Sequence, residues 1–144
     1  PRSDLNGLDV GKKMLILLRE SGIKYELEDI KIQSLIPKSI NSKISIEDFF
    51  NELKKNESFY ESRLKESNKK NEVLRYIASW DGKNAKVELA SIPASNPFYS
   101  IKEKENILVI KSKNYSDIPI IIRGPGAGIK VTSAGVFNDL SLIL

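Results

Sequence analysis

The hydrophobic period of this chain changes at Val73, and that change restricts the folds open to it. Upstream, most apolar residues recur at helical spacing; downstream they fall in short β-rich segments divided by turn residues. Val10, Met14, Leu17 and Leu18 form an apolar stripe that Leu15 and Ile16 widen, predicting a buried helix over residues 8–21 that stops at Gly22. Tyr25, Leu27, Ile30 and Ile32 alternate loosely, predicting a strand within residues 24–36 that ends at Pro37. Ser45, followed by Glu47 and Asp48, is a helix cap with first-turn acids, and Phe49, Phe50 and Leu53 line that helix. A further helix starts at Asn56 or Ser58 and runs to about Lys70, with Phe59, Tyr60 and Leu64 inward and a charge-balanced outer face.

Residues 73–80, 86–92, 106–111 and 118–123 read as strands. Asp81-Gly82 marks a hairpin with a loop longer than the tightest kind. Val87 and Leu89 alternate with Lys86 and Glu88, so one sheet face is buried and the other wet. Helices first and strands later predict an α+β fold, with helices on one face of a mainly antiparallel sheet and no Rossmann unit. The other face needs cover, which a second copy of the chain would supply. Gly124-Pro-Gly-Ala-Gly128 joins the last strand to a final helix that begins near Val131 or Thr132. A strand, a glycine-rich turn and a helix start can cradle an anion, but G-x-G-x-G is not the dinucleotide fingerprint. A plain tight crossing is the simpler account.

At 144 residues the chain is the length of one domain. No apolar run approaches a membrane span and no signal peptide is visible, so a cytoplasmic protein is expected. The absence of cysteine and histidine removes thiol nucleophiles, thiolate zinc sites and the commonest general base, and no metal site is expected. Proton chemistry falls to Asp, Glu, Lys or Tyr. The net charge of +4 arises from 23 basic residues interleaved with 19 acids, without a basic stripe or interleaved aromatics, which argues against nucleic acid.

The candidate site lies at the amino end. Asp9 and Lys13 are four apart, on one helix face, and Asp4 precedes the helix where an acid is favoured. Two carboxylates and an amine at one helix mouth could hold an amino acid-like substrate and move a proton. The same spacing also describes an ordinary surface ion pair and a cap; spacing alone leaves both readings open.

The wording of this stretch goes further. Pro1-Arg-Ser-Asp-Leu-Asn-Gly-Leu-Asp-Val-Gly-Lys-Lys13 resembles the homoserine dehydrogenase segment Pro-Arg-Asp-Asp-Leu-(Ser/Asn)-Gly-x-Asp-Val-Ala-Arg-Lys. Val73-Leu-Arg-Tyr-Ile77, Asn96-Pro-Phe98, Arg123-Gly-Pro-Gly-Ala-Gly128 and Val131-Thr-Ser-Ala-Gly-Val-Phe137 follow in that family's order. The resemblance implies NAD- or NADP-dependent interconversion of aspartate 4-semialdehyde and homoserine, in threonine, methionine and isoleucine biosynthesis. It implies that Lys13 is catalytic, that Asp9 handles a proton or binds substrate, and that Asp4 helps hold the substrate's amino group. It places Gly126 and Gly128 near the cofactor and suggests a homodimer. The chain departs from the motif at Ser3 and at Gly11-Lys12, which stand for Asp and Ala-Arg. Since the chain carries no Rossmann unit and opens inside a motif, residues 1–144 are expected to be the catalytic, substrate-binding and dimerisation region of a longer enzyme. The wording leans toward the bifunctional aspartate kinase–homoserine dehydrogenase arrangement. Alone, the chain is expected to fold without turning over, because the coenzyme pocket and a second catalytic lysine would lie elsewhere. The competing reading is a non-enzymatic α+β dimerisation or interaction module.

Overall fold

A computed structural model describes residues 2–40, 43–102 and 105–143. The chain forms two compact units, Pro1–Pro93 and Ala94–Leu144.

In the first unit, α1 (Arg2–Leu5) and α2 (Leu8–Glu20) lead into a 3-10 turn at Leu27–Asp29 and the short strand β1 (Lys31–Ile32). Helices α3 (Ile46–Lys55) and α4 (Glu57–Lys69) follow, then the hairpin of β2 (Val73–Trp80) and β3 (Ala85–Ile92). The sheet order is β1-β3-β2. β2 and β3 pair antiparallel from Val73↔Ile92 to Trp80↔Ala85, and β1 joins β3 in parallel at Lys31↔Lys86. Leu18, Ile30, Ala85 and Val87 form the core, with Val10, Met14, Leu15 and Tyr76 packed against it. Ser67 of α4 is 2% exposed and meets Ser91 of β3 at 2.8 Å between hydroxyls. Ser91 shares its strand face with Val87 by period-2 alternation, so α2 and α4 lie on one face of the sheet, as predicted.

Local chemistry explains the boundaries. α2 stops as predicted: Gly22 (φ 78) takes the left-handed position, its N–H donates to Arg19 O, and Ile23 N donates to Leu18 O. Ser45 Oγ accepts from Asp48 N at 3.0 Å, the expected cap of α3. Asp81 Oδ1 accepts from Lys83 N and Asn84 N, closing the hairpin beside Gly82. Residues 24–36 make a shorter strand than predicted, because Glu26 and Asp29 cap each other's backbone and wind residues 27–29 into a turn. On α4 the inward stripe is Tyr60, Arg63 and Ser67, whereas Phe59 and Leu64 are exposed. α2 is likewise buried along one side only, at Gly11 and Leu18, with Ile16 59% exposed.

In the second unit, a 3-10 turn at Pro97–Ser100 precedes β4 (Glu105–Ile110), β5 (Ile120–Pro125) and α5 (Ile129–Ser141). β4 and β5 are antiparallel, from Glu105↔Pro125 to Ile110↔Ile120. The β segments of the second half are therefore divided between two sheets. Arg123 clamps this unit: Nη2 lies 2.6 Å from Glu105 Oε2 and donates to Ser100 O, while Nη1 donates to Ser100 Oγ. Ile120, Ile121 and Ile122 on β5 and Val136, Phe137 and Leu140 on α5 are exposed.

Candidate active site

The candidate residues sit on α1 and α2, joined by a turn that only glycine fits. Gly7 has φ 82, and Asn6 Oδ1 accepts from Leu8 N at 3.0 Å. A Cβ at Gly7 would come within 1.9 Å of the Tyr76 hydroxyl, and one at Gly11 within 2.7 Å of Ile32 Cδ1. The amino end of α2 thus rests its backbone directly on the side chains of Ile32 from β1 and Tyr76 from β2. Asp9 and Lys13 come together, Nζ to Oδ2, at 2.9 Å. Their side chains are 54% and 63% exposed, so the desolvated amine that an all-round buried helix would provide is not what this chain presents. Asp4 precedes α2, as the sequence places it, within a short helix of its own, α1, and it is exposed. The side chain of Ser3 lies outside the described residues.

A floor unforeseen from the sequence supports this segment. Arg2 stacks over the Phe49 ring, 4.8 Å from its centroid, and donates to the carbonyls of Ile44 and Ser45. Leu5 O accepts from Leu35 N at 2.8 Å. The strap through residues 33–35 is itself held by two phenols: Tyr76 donates to Gln33 O and Tyr60 to Leu35 O, each at 2.7 Å. Burial raises the pKa of both phenols, so they remain donors well above neutral pH. Tyr76 falls on the apolar face of its strand, beside Ala78, and within the Val73–Ile77 block that carries the family resemblance.

In the second unit, Gly126 faces Asn106, whose amide a Cβ would meet at 2.2 Å, and Gly128 (φ 139) precedes the first turn of α5. β5 pairs only with the antiparallel β4, whereas a dinucleotide unit needs a parallel strand beyond the helix. Among the described residues β5 and α5 therefore do not form a βαβ dinucleotide unit. A cavity of about 360 Å³ lies between Asn96, Tyr99, Ser100, Ile107, Ile121 and Arg123. Among the described residues there is no cluster of metal-ligating side chains, and no helix is long and apolar enough to cross a membrane.

The family model for homoserine dehydrogenase matches residues 1–141. Bifunctional aspartokinase/homoserine dehydrogenase 1 of Arabidopsis thaliana is 39% identical over 142 residues, which are 97% of this chain and 16% of that protein. Homoserine dehydrogenase of Saccharomyces cerevisiae is 40% identical over 143 residues, which are 97% of this chain and 40% of the yeast protein. A crystal structure of a Candida auris protein of unknown function superposes with a TM-score of 0.87 at 32% identity, over 99% of this chain and 40% of that one. These matches define the class as that of an oxidoreductase family. The chain belongs to the homoserine dehydrogenase family.

Proposed function

We propose that residues 1–144 are the catalytic, substrate-binding and dimerisation region of a longer cytoplasmic homoserine dehydrogenase, which interconverts homoserine and aspartate 4-semialdehyde on the route to threonine, methionine and isoleucine. The family match across residues 1–141 carries this reading, together with the Asp9–Lys13 pair at 2.9 Å in the stretch that resembles the family motif. A nicotinamide coenzyme, NAD or NADP, held outside the residues described, would supply the hydride chemistry, and Gly126 and Gly128 would border it. This chain's part is at the oxygen and the amine. The Lys13 ammonium stands ready to give a proton to the carbonyl oxygen as it gains charge, and its neutral form to take one from the alcohol. Asp9 orients Lys13, and Asp9 and Asp4 receive the substrate's ammonium. The exposed isoleucines of β5 are consistent with a homodimer that covers them.

A second reading has its own observation: both members of the pair are more than half exposed, as in a surface ion pair of no consequence. Substituting Lys13→Met in the intact protein separates the two. We expect homoserine oxidation to fall by at least about 100-fold, the scale of a lost acid–base group, with the unfolding temperature unchanged. Undiminished turnover would return the Asp9–Lys13 pair to the surface and leave the purpose of this chain open to the interaction-module reading. The chain alone is expected to give no homoserine-dependent reduction of NAD or NADP.

A further inference from the structure

The mouth of α2 touches the sheet at two points only one turn apart, and both are glycines. Gly7 lies against the Tyr76 hydroxyl and Gly11 against Ile32. Ile32 also approaches Gly7, its Cγ2 standing 2.7 Å from where a Cβ would be, so one β1 side chain underlies both contacts. Asp9 falls between these glycines in sequence and Lys13 follows the second, and their exposed side chains leave the helix on the side away from the floor. The height of α2 above the sheet therefore sets where the aspartate–lysine pair stands.

We propose that Ile32 and Tyr76 are positioning residues for the reaction. They form a two-point floor on which Gly7 and Gly11 rest, and their bulk fixes the height and tilt of the helix that presents Asp9 and Lys13. This inference rests on the functional reading above. It follows that Gly11 and Ile32 are matched to each other: a methyl at position 11 meets the end of the Ile32 side chain, and a smaller residue at position 32 removes that contact. A Cβ at 2.7 Å from Ile32 Cδ1 is about 1 Å inside ordinary van der Waals contact. Ile32 must turn away or the helix must rise. Alanine is otherwise the better helix former, so the Gly11 variant is expected to fold.

The test uses the intact protein, with homoserine oxidation and thermal unfolding measured on Gly11→Ala, Ile32→Val, the double variant and Lys13→Met. Displacements near 1 Å cost up to about 100-fold in rate, so Gly11→Ala should lower kcat/KM by about tenfold or more. Its unfolding temperature should stay within a few degrees. Ile32→Val in the Gly11→Ala background removes the offending Cδ1, and should restore kcat/KM to within about threefold of wild type. A residue that matters only for stability would move the unfolding temperature and leave the kinetics of the folded protein alone. Wild-type kinetics in Gly11→Ala, or no rescue in the double variant, would overturn the proposal. Should Lys13→Met retain full turnover, the functional reading itself fails; if only Lys13→Met is impaired, that reading stands and the floor has no kinetic role.

Discussion

Gly7→Ala presses on Tyr76 and, at 2.7 Å, on Ile32 Cγ2, and a lower bound on its cost can be built from two parts. The backbone at Gly7 is left-handed, φ 82, where an L side chain costs about 1–2 kcal/mol. The new Cβ would lie 1.9 Å from the Tyr76 hydroxyl, which must swing away and give up its 2.7 Å bond to Gln33 O, at about 1 kcal/mol. The sum is about 2–3 kcal/mol. For a cooperative unit of fewer than about 100 residues this lowers the unfolding temperature by roughly 10–20 °C. Thermal unfolding followed by circular dichroism, on wild type, Gly7→Ala, Tyr76→Phe and the double variant, measures it. Tyr76→Phe should cost about 1 kcal/mol for the lost hydrogen bond. The double variant should cost about 1 kcal/mol less than the two singles added, because the hydroxyl can be displaced only once. A Gly7→Ala protein within about 0.5 kcal/mol of wild type, or strictly additive singles, would refute the idea that Gly7 is required by this contact.

Asn71 holds a left-handed position (φ 55) at the end of α4, where Glu72 N donates to Ser67 O. Asn71→Gly should stabilise by about 0.5 kcal/mol, read as a raised urea midpoint at unchanged slope. Phe49 is 1% exposed and carries the stacked Arg2, so Phe49→Ala should cost about 3–5 kcal/mol in the same titration. Glu105 titrates below its ordinary value of 4.5, mainly through its hydrogen bond with Arg123 and then that with Lys102 N. Its folded pKa is the lower one, so its stabilisation is present above pH 4.5 and fades as pH falls through the folded value. Unfolding temperatures of wild type and Glu105→Gln measured against pH should converge toward acid; a gap that stays constant would rule out this account.

What the sequence discloses of the site is its local half. The Asp9–Lys13 pairing needs only helical spacing, and the stop at Gly22 needs only a residue tolerant of positive φ; both are found where spacing and residue type put them. The α+β order follows equally directly, because a change of hydrophobic period at Val73 can be read without knowing what packs on what. The rest depends on partners distant in sequence. Whether Phe59 or Ser67 faces the sheet depends on how α4 meets Ser91, and an aromatic at helical spacing does not reveal that. The turn at residues 27–29 wins over alternation because two acids can satisfy each other's backbone N–H groups, a competition that period counting ignores. The exposure of Lys13 has the same origin. An apolar stripe shows that a helix can be buried, but what covers its remaining faces is decided elsewhere. Ile16 and Leu17, exposed on the helix that carries Lys13, are apolar surface of the sort a dry active site would cover. If a further part of the enzyme closes over that surface, Lys13 would lose water with it, and its environment in the working enzyme would differ from the open one seen on this chain.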